Sequence, residues 1–154
     1  MKKRSDFFLG FCMQPAPETT DVFVRTPEDA YKACEEQAGY GQEAFTVLCL
    51  NARNRLIAGG IVTIGIIDST LVHAREIFRK AIEVNASAVC LVHNHPSGDS
   101  TPSTEDVKLT KQMIQAGQLI GIKVLDHVVI GRLSPGNTRR FLSFRESGLV
   151  EFDP

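Results

Sequence analysis

Two histidines, a serine and an aspartate stand at a spacing that suits a divalent cation: His93 and His95, then Ser103 and Asp106. Two neutral imidazoles and one carboxylate are a normal zinc ligand set. Three protein ligands leave a fourth position open to water, which separates catalytic from structural zinc sites. One ion, most simply zinc, is therefore expected on His93, His95 and Asp106, in a hydrolase-type site. Ser103 has a plainer reading, because Thr-Pro-Ser-x-x-Asp caps a helix without any catalysis. Both roles are compatible.

The elements around these residues must position them. Ser87–His93 is an almost unbroken apolar run, as expected of a strand buried on both faces. Period-two geometry puts His93 and His95 on one side of it. Pro96 breaks the strand, residues 97–102 form a tight loop, and Asp99 reads as a turn residue there. Ser103 then caps a helix reaching about Ala116, with Asp106 in the first turn, where the helix dipole tolerates a carboxylate. Upstream, Thr26 caps a helix to about Gln37 that stops near Gly39, with Pro27 at its first position. Glu43–Asn51 reads as a strand, Ala52–Arg55 as a turn, and Leu56 to about Ile67 as a second strand that Gly59–Gly60 could split. A helix from about His73 to Val84 follows, with Ile77, Phe78, Ala81 and Ile82 as its apolar stripe. Ile122–Ile130 is another strand, and Arg140–Val150 a last strand and turn. This order predicts an α/β fold: a three-layer α/β/α domain with a mixed central sheet.

The chain has 154 residues, 43% of them hydrophobic, which suits one domain with its own core. Residues 1–25 read as an N-terminal arm and linker, and residues 26–154 as the folded domain. Phe7–Met13 is too short to span a membrane and lacks a cleavage-site pattern. It reads as an extended arm or edge strand. The four cysteines, Cys12, Cys34, Cys49 and Cys90, form no CxxC pair. Cys49 and Cys90 sit in apolar runs and read as reduced core residues, which favours a cytoplasmic setting. The net charge of −1 offers no electrostatic case for nucleic-acid binding.

The pattern His93-x-His95-Pro96-x6-Ser103-x2-Asp106 resembles the JAMM motif of the MPN-domain (JAB) metalloproteases. His93-Asn-His-Pro-Ser-Gly98, Thr101-Pro-Ser103, Leu125-Asp-His127, Arg75-Glu-Ile-Phe78 and Ser143-Phe-Arg-Glu146 resemble its RadC branch, over about residues 26 to 150. The chain resembles the short RadC type, without the helix-hairpin-helix segment that often precedes the domain. The resemblance implies His93, His95 and Asp106 as metal ligands and Ser103 as a hydrogen-bonding partner of the activated water or the developing oxyanion. It also implies an upstream glutamate as general acid/base. Glu43, at the start of the strand after the first helix, is the expected one, and Glu76 is its rival. The implied reaction is hydrolysis of an amide or isopeptide bond in a protein or peptide-like substrate, with no covalent enzyme intermediate. The alternative is a non-catalytic binding module tied to DNA repair or mobile elements. His127 reads equally as an orienting partner of a ligand or as a strand residue satisfied by Asp126, and His73 as a helix-start residue. The zinc deaminases share a layered architecture, but they need H-x-E with P-C-x-x-C, which this chain lacks.

Overall fold

The computed structural model describes residues 14–15, 21–65 and 72–153. In chain order the elements are strand β1 (Gln14–Pro15), helix α1 (Pro27–Cys34) continued by a 3-10 turn over Glu35–Gly39, β2 (Ala44–Leu50), β3 (Leu56–Ile64), α2 (Ala74–Glu83), β4 (Ala88–Asn94), α3 (Thr104–Ile120), β5 (Lys123–Ile130), β6 (Phe141–Ser143) and the one-turn α4 (Phe144–Ser147). The expected arm at residues 1–13, with Cys12, lies outside the described residues. So do most of the linker and the stretch from Ile66 to Leu71.

The strands form one mixed sheet in the order β1-β3-β2-β4-β5-β6. β4 and β5 run parallel, joined through α3, and the other neighbouring pairs are antiparallel. β2 and β4 are buried at every position. Their alternate residues enter two separate cores, because successive side chains point to opposite faces. Phe45, Val47, Val89 and Leu91 pack with Ile77, Phe78, Leu109 and Met113 of α2 and α3. Leu48, Leu50, Cys90 and Val92 pack with Ala30, Tyr31 and Cys34 of α1. The fold is thus the expected α/β/α sandwich with a mixed central sheet. Burial pushes the free thiols of Cys34, Cys49 and Cys90 upward, that of Cys49 to about 12. They are packing residues.

Local signals place most element starts. Thr26 Oγ1 accepts from the Asp29 amide at 3.2 Å, while Asp29 Oδ2 accepts from the Thr26 amide at 2.9 Å, a reciprocal cap. Four details differ from expectation. β3 runs unbroken through Gly59–Gly60, because both glycines are paired to β2. Ile82 is 60% exposed: it lies about 140° around the helix from Ile77, at the border of the buried stripe. α3 continues past Ala116 to Ile120 and ends at Gly121, whose φ is 74°. Gly117 is a packing glycine and not a stop, since a Cβ there would sit 2.4 Å from the Ile122 carbonyl oxygen. The last strand is cut to three residues, because Ser143 Oγ accepts from the Glu146 amide at 3.1 Å and starts α4. No helix among the described residues is long and apolar enough to cross a membrane.

Candidate metal centre

β4 carries His93 inside the sandwich, with its side chain fully buried, and releases His95 just past the strand end. The chain turns at once. Gly98 donates its amide to the His95 carbonyl at 2.9 Å and takes a φ of 87°, a conformation that favours glycine. The loop after β5 holds this turn. Arg132 and the Asn137 side chain each donate to the Gly98 carbonyl at 2.8 Å. Gly131 allows the approach, since a Cβ there would meet the same oxygen at 2.3 Å. Asp99 has the expected turn role: its Oδ1 accepts from the amide and hydroxyl of Thr101 at 3.0 and 2.8 Å.

The chain then enters α3 through a second reciprocal cap. Ser103 Oγ accepts from the Asp106 amide at 3.1 Å, and Asp106 Oδ2 accepts from the Ser103 amide at 2.8 Å. The cap aims the Asp106 carboxylate at the two histidines. His93 Nε2 lies 3.3 Å from Asp106 Oδ1, His95 Nε2 lies 3.2 Å from Asp106 Oδ2, and the two Nε2 atoms are 3.0 Å apart. The structure thus brings together the three groups that the spacing singled out, and they can hold a metal ion.

Donor chemistry supports that fit. His95 Nδ1 lies 2.7 Å from the Asp99 carbonyl oxygen. A carbonyl only accepts, so Nδ1 carries the hydrogen, and a neutral His95 presents a bare Nε2. That lone pair faces a carboxylate, which also only accepts. A cation or a proton must lie between them. The surroundings favour a proton at that place. Burial alone would lower the His95 pKa, but hydrogen bonds to Asp106 and to the Asp99 carbonyl outweigh it and raise it. Burial opposes ionisation of Asp106, yet its contacts with the two imidazoles and the hydrogen bond from the Ser103 amide hold its carboxyl well below the usual range.

Glu43 stands immediately before β2. The β2–β4 register pairs Phe45 with His93, so continuing it by two residues sets Glu43 opposite His95 on the same face of the sheet. Its negative charge favours the protonated form of His95. Asn94, between the two histidines, points to the other face and brackets Glu43. Its Oδ1 accepts from the Ala44 amide at 2.7 Å and its Nδ2 donates to the Gln42 carbonyl at 3.0 Å. Sequence reasoning passed over Asn94, and only its place between two ligands could have drawn attention to it. Glu76 is occupied elsewhere: it is exposed, and its Oε2 accepts from the His73 amide at 3.2 Å, capping α2.

His127 is a partner of a candidate ligand. Its Nε2 lies 2.7 Å from His93 Nδ1 and its Nδ1 lies 2.6 Å from Thr110 Oγ1. The ring stacks on Phe144 at 4.9 Å and meets the edge of Phe45 at 5.5 Å. Burial, and then the neighbouring His93, push its pKa well below that of a free imidazole. Asp126 bonds the His127 backbone amide instead of the ring. Thr110 escaped the sequence reading, although it lies one helical turn after Asp106 and shares its face.

A family model described as a RadC-like JAB domain matches residues 24–149. A UPF0758 protein of Caldanaerobacter subterraneus subsp. tengcongensis is 41% identical over 99% of this chain and 64% of its own length. UPF0758 proteins of Desulforamulus reducens and Thermotoga maritima are 43% and 40% identical, over 92% and 88% of this chain and 60% and 57% of their own lengths. The chain spans about three fifths of the length of the curated relatives it matches.

Proposed function

The chain belongs to the RadC-like JAB domain family, and on that premise we propose that it is a zinc-dependent hydrolase of amide or isopeptide bonds. The observation that carries this reading is the convergence of His93 Nε2, His95 Nε2 and the Asp106 carboxylate within hydrogen-bonding distance of one another. In this reading those residues hold one zinc ion. Bound there, zinc would lower the pKa of a coordinated water to about 7 and polarise a substrate carbonyl.

The other roles belong to the chain's own groups. Glu43, facing His95 from the end of β2, takes the proton of the attacking water and passes it to the leaving amine. Asn94 holds the backbone on both sides of Glu43, so the carboxylate is presented from a fixed strand end. The Ser103 hydroxyl spends a lone pair on the Asp106 amide and keeps its proton for the developing oxyanion. The substrate is a protein or peptide-like chain, and the setting is a reducing one such as the cytoplasm, in keeping with the free buried thiols of Cys34, Cys49 and Cys90 among the described residues.

Metal analysis tests the ligand set. Purified wild-type protein should carry one zinc per chain, and Asp106→Ala and His95→Ala should each lose it. Full occupancy in both variants overturns the assignment.

A further inference from the structure

We infer that Thr110 and His127 form a tautomer lock on His93, a hydrogen-bonded relay that keeps its Nε2 free of hydrogen and thereby available to a metal ion. The inference rests on the ligand set proposed above and assigns positioning residues to it.

The direction of the relay follows from counting donors. It starts at the main-chain carbonyl of Asp106, which can only accept. Thr110 Oγ1 lies 2.7 Å from that oxygen, so the hydroxyl hydrogen goes there. The lone pair of Thr110 Oγ1 then faces His127 Nδ1 at 2.6 Å, and Nδ1 must supply the hydrogen. A neutral imidazole carries only one, so His127 Nε2 is a bare acceptor. It lies 2.7 Å from His93 Nδ1, which therefore donates. His93 Nε2 is left with its lone pair pointing at His95 and Asp106.

Reversal would undo the site. Were Thr110 to donate to His127, then His127 Nε2 would donate to His93, and a hydrogen on His93 Nε2 would stand where the ion belongs. The Asp106 carbonyl decides between the two arrangements. The relay therefore begins on the backbone of one ligand and ends on the ring of another. Water has no room to interrupt it: His93, Thr110 and His127 are all fully buried, and Phe45 and Phe144 cover the His127 ring. His95 reaches the same tautomer by a different route, through the loop carbonyl of Asp99.

The test uses the full chain, with Zn2+ alone as the probe. Long-range proton–nitrogen NMR of the metal-free protein at alkaline pH reports which nitrogen of each imidazole is protonated. In the wild type, His93 and His127 should both be protonated at Nδ1. Thr110→Val keeps the shape but removes the hydroxyl. It should mix the tautomers of both rings and weaken zinc binding about 10- to 100-fold, the usual effect of losing an outer-shell partner. Thr110→Ser should restore both readouts, whereas a purely structural role would shift the unfolding midpoint and leave the tautomers alone. Protonation of His127 at Nε2 in the wild type overturns the inference, whether or not the valine variant folds. So does a valine variant with unchanged tautomers and unchanged zinc affinity. Zinc retained by both Asp106→Ala and His95→Ala would instead sink the ligand set, a separate result.

Discussion

Asp106 and Asp126 are both almost buried, at 3% and 7% exposure, yet their surroundings push their acidities in opposite directions. Asp126 accepts from the Ser143 hydroxyl at 2.5 Å, the His127 amide at 2.7 Å and the Arg145 amide at 3.0 Å. Burial outweighs these bonds and raises its pKa. Asp106 sits in the first turn of α3 and faces two imidazoles, and its pKa falls despite burial. Hydrogen-bond number alone does not separate the two. Nor does a nearby positive charge alone, since the Arg145 guanidinium also favours ionised Asp126; the direct partners differ, a hydroxyl and two amides at Asp126 against two ring nitrogens and an amide at Asp106. Asp126 ties β5 to β6 and α4. Asp106 is placed to meet a cation.

Changes around Asp106 should alter rate and metal, whereas changes around Asp126 should alter stability alone. Glu43→Gln gives the largest effect. With a cleavable peptide substrate, kcat should fall about 100- to 10,000-fold, the usual range for a lost general acid/base, while metal analysis shows zinc retained. Zinc loss in this variant would make Glu43 part of the ligand set. Ser103→Ala should have a mixed effect. Removing the cap costs about 0.5–2 kcal/mol in urea unfolding, and kcat should fall further than that loss of folded protein explains. A stability loss with unchanged kcat would reduce Ser103 to a cap.

Asp126→Asn is the smallest change and the sharpest control. Zinc content should not move, and stability should change by about 1 kcal/mol or less. Its pH dependence has a definite sign. The folded-state pKa of Asp126 is raised, so its contribution is fully present below the unfolded value of about 4 and is lost as pH rises through the folded value. The asparagine variant lacks this term. Its stability relative to wild type should therefore improve as pH rises through that window, measured as the difference in urea midpoints. A difference flat in pH would mean that burial does not strain Asp126, and the contrast with Asp106 would fail.

Much of the site was legible because its signals are local. The i, i+2 histidines need only strand periodicity to share a face, and Ser103 with Asp106 needs only the capping box to fold back. The same locality explains the misreadings. The helix after Ser103 runs past the expected end near Ala116, because Gly117 packs against the Ile122 carbonyl inside it, and Ser143 starts a turn of helix where β-forming neighbours suggested more strand. His127 stayed ambiguous for the opposite reason. Its adjacent Asp126 was the obvious partner in the sequence, while its actual ring partners come from β4 and α3.

By itself, the sequence determined the layered α/β/α class, the buried strand that ends in two histidines, and the loop and cap that return Asp106 to them. Each depends on residues a few positions apart, where backbone periodicity and capping leave few alternatives. Tertiary structure decided which strands are neighbours, and with that the clamp of Asn94 on the segment around Glu43 and the relay from Thr110 through His127 to His93. The bonds of the clamp join residues 50 and 52 positions apart, and the two ring contacts of the relay span 17 and 34. Pairings over such distances exist only once sheet order and register have brought the elements together, and no local preference encodes them.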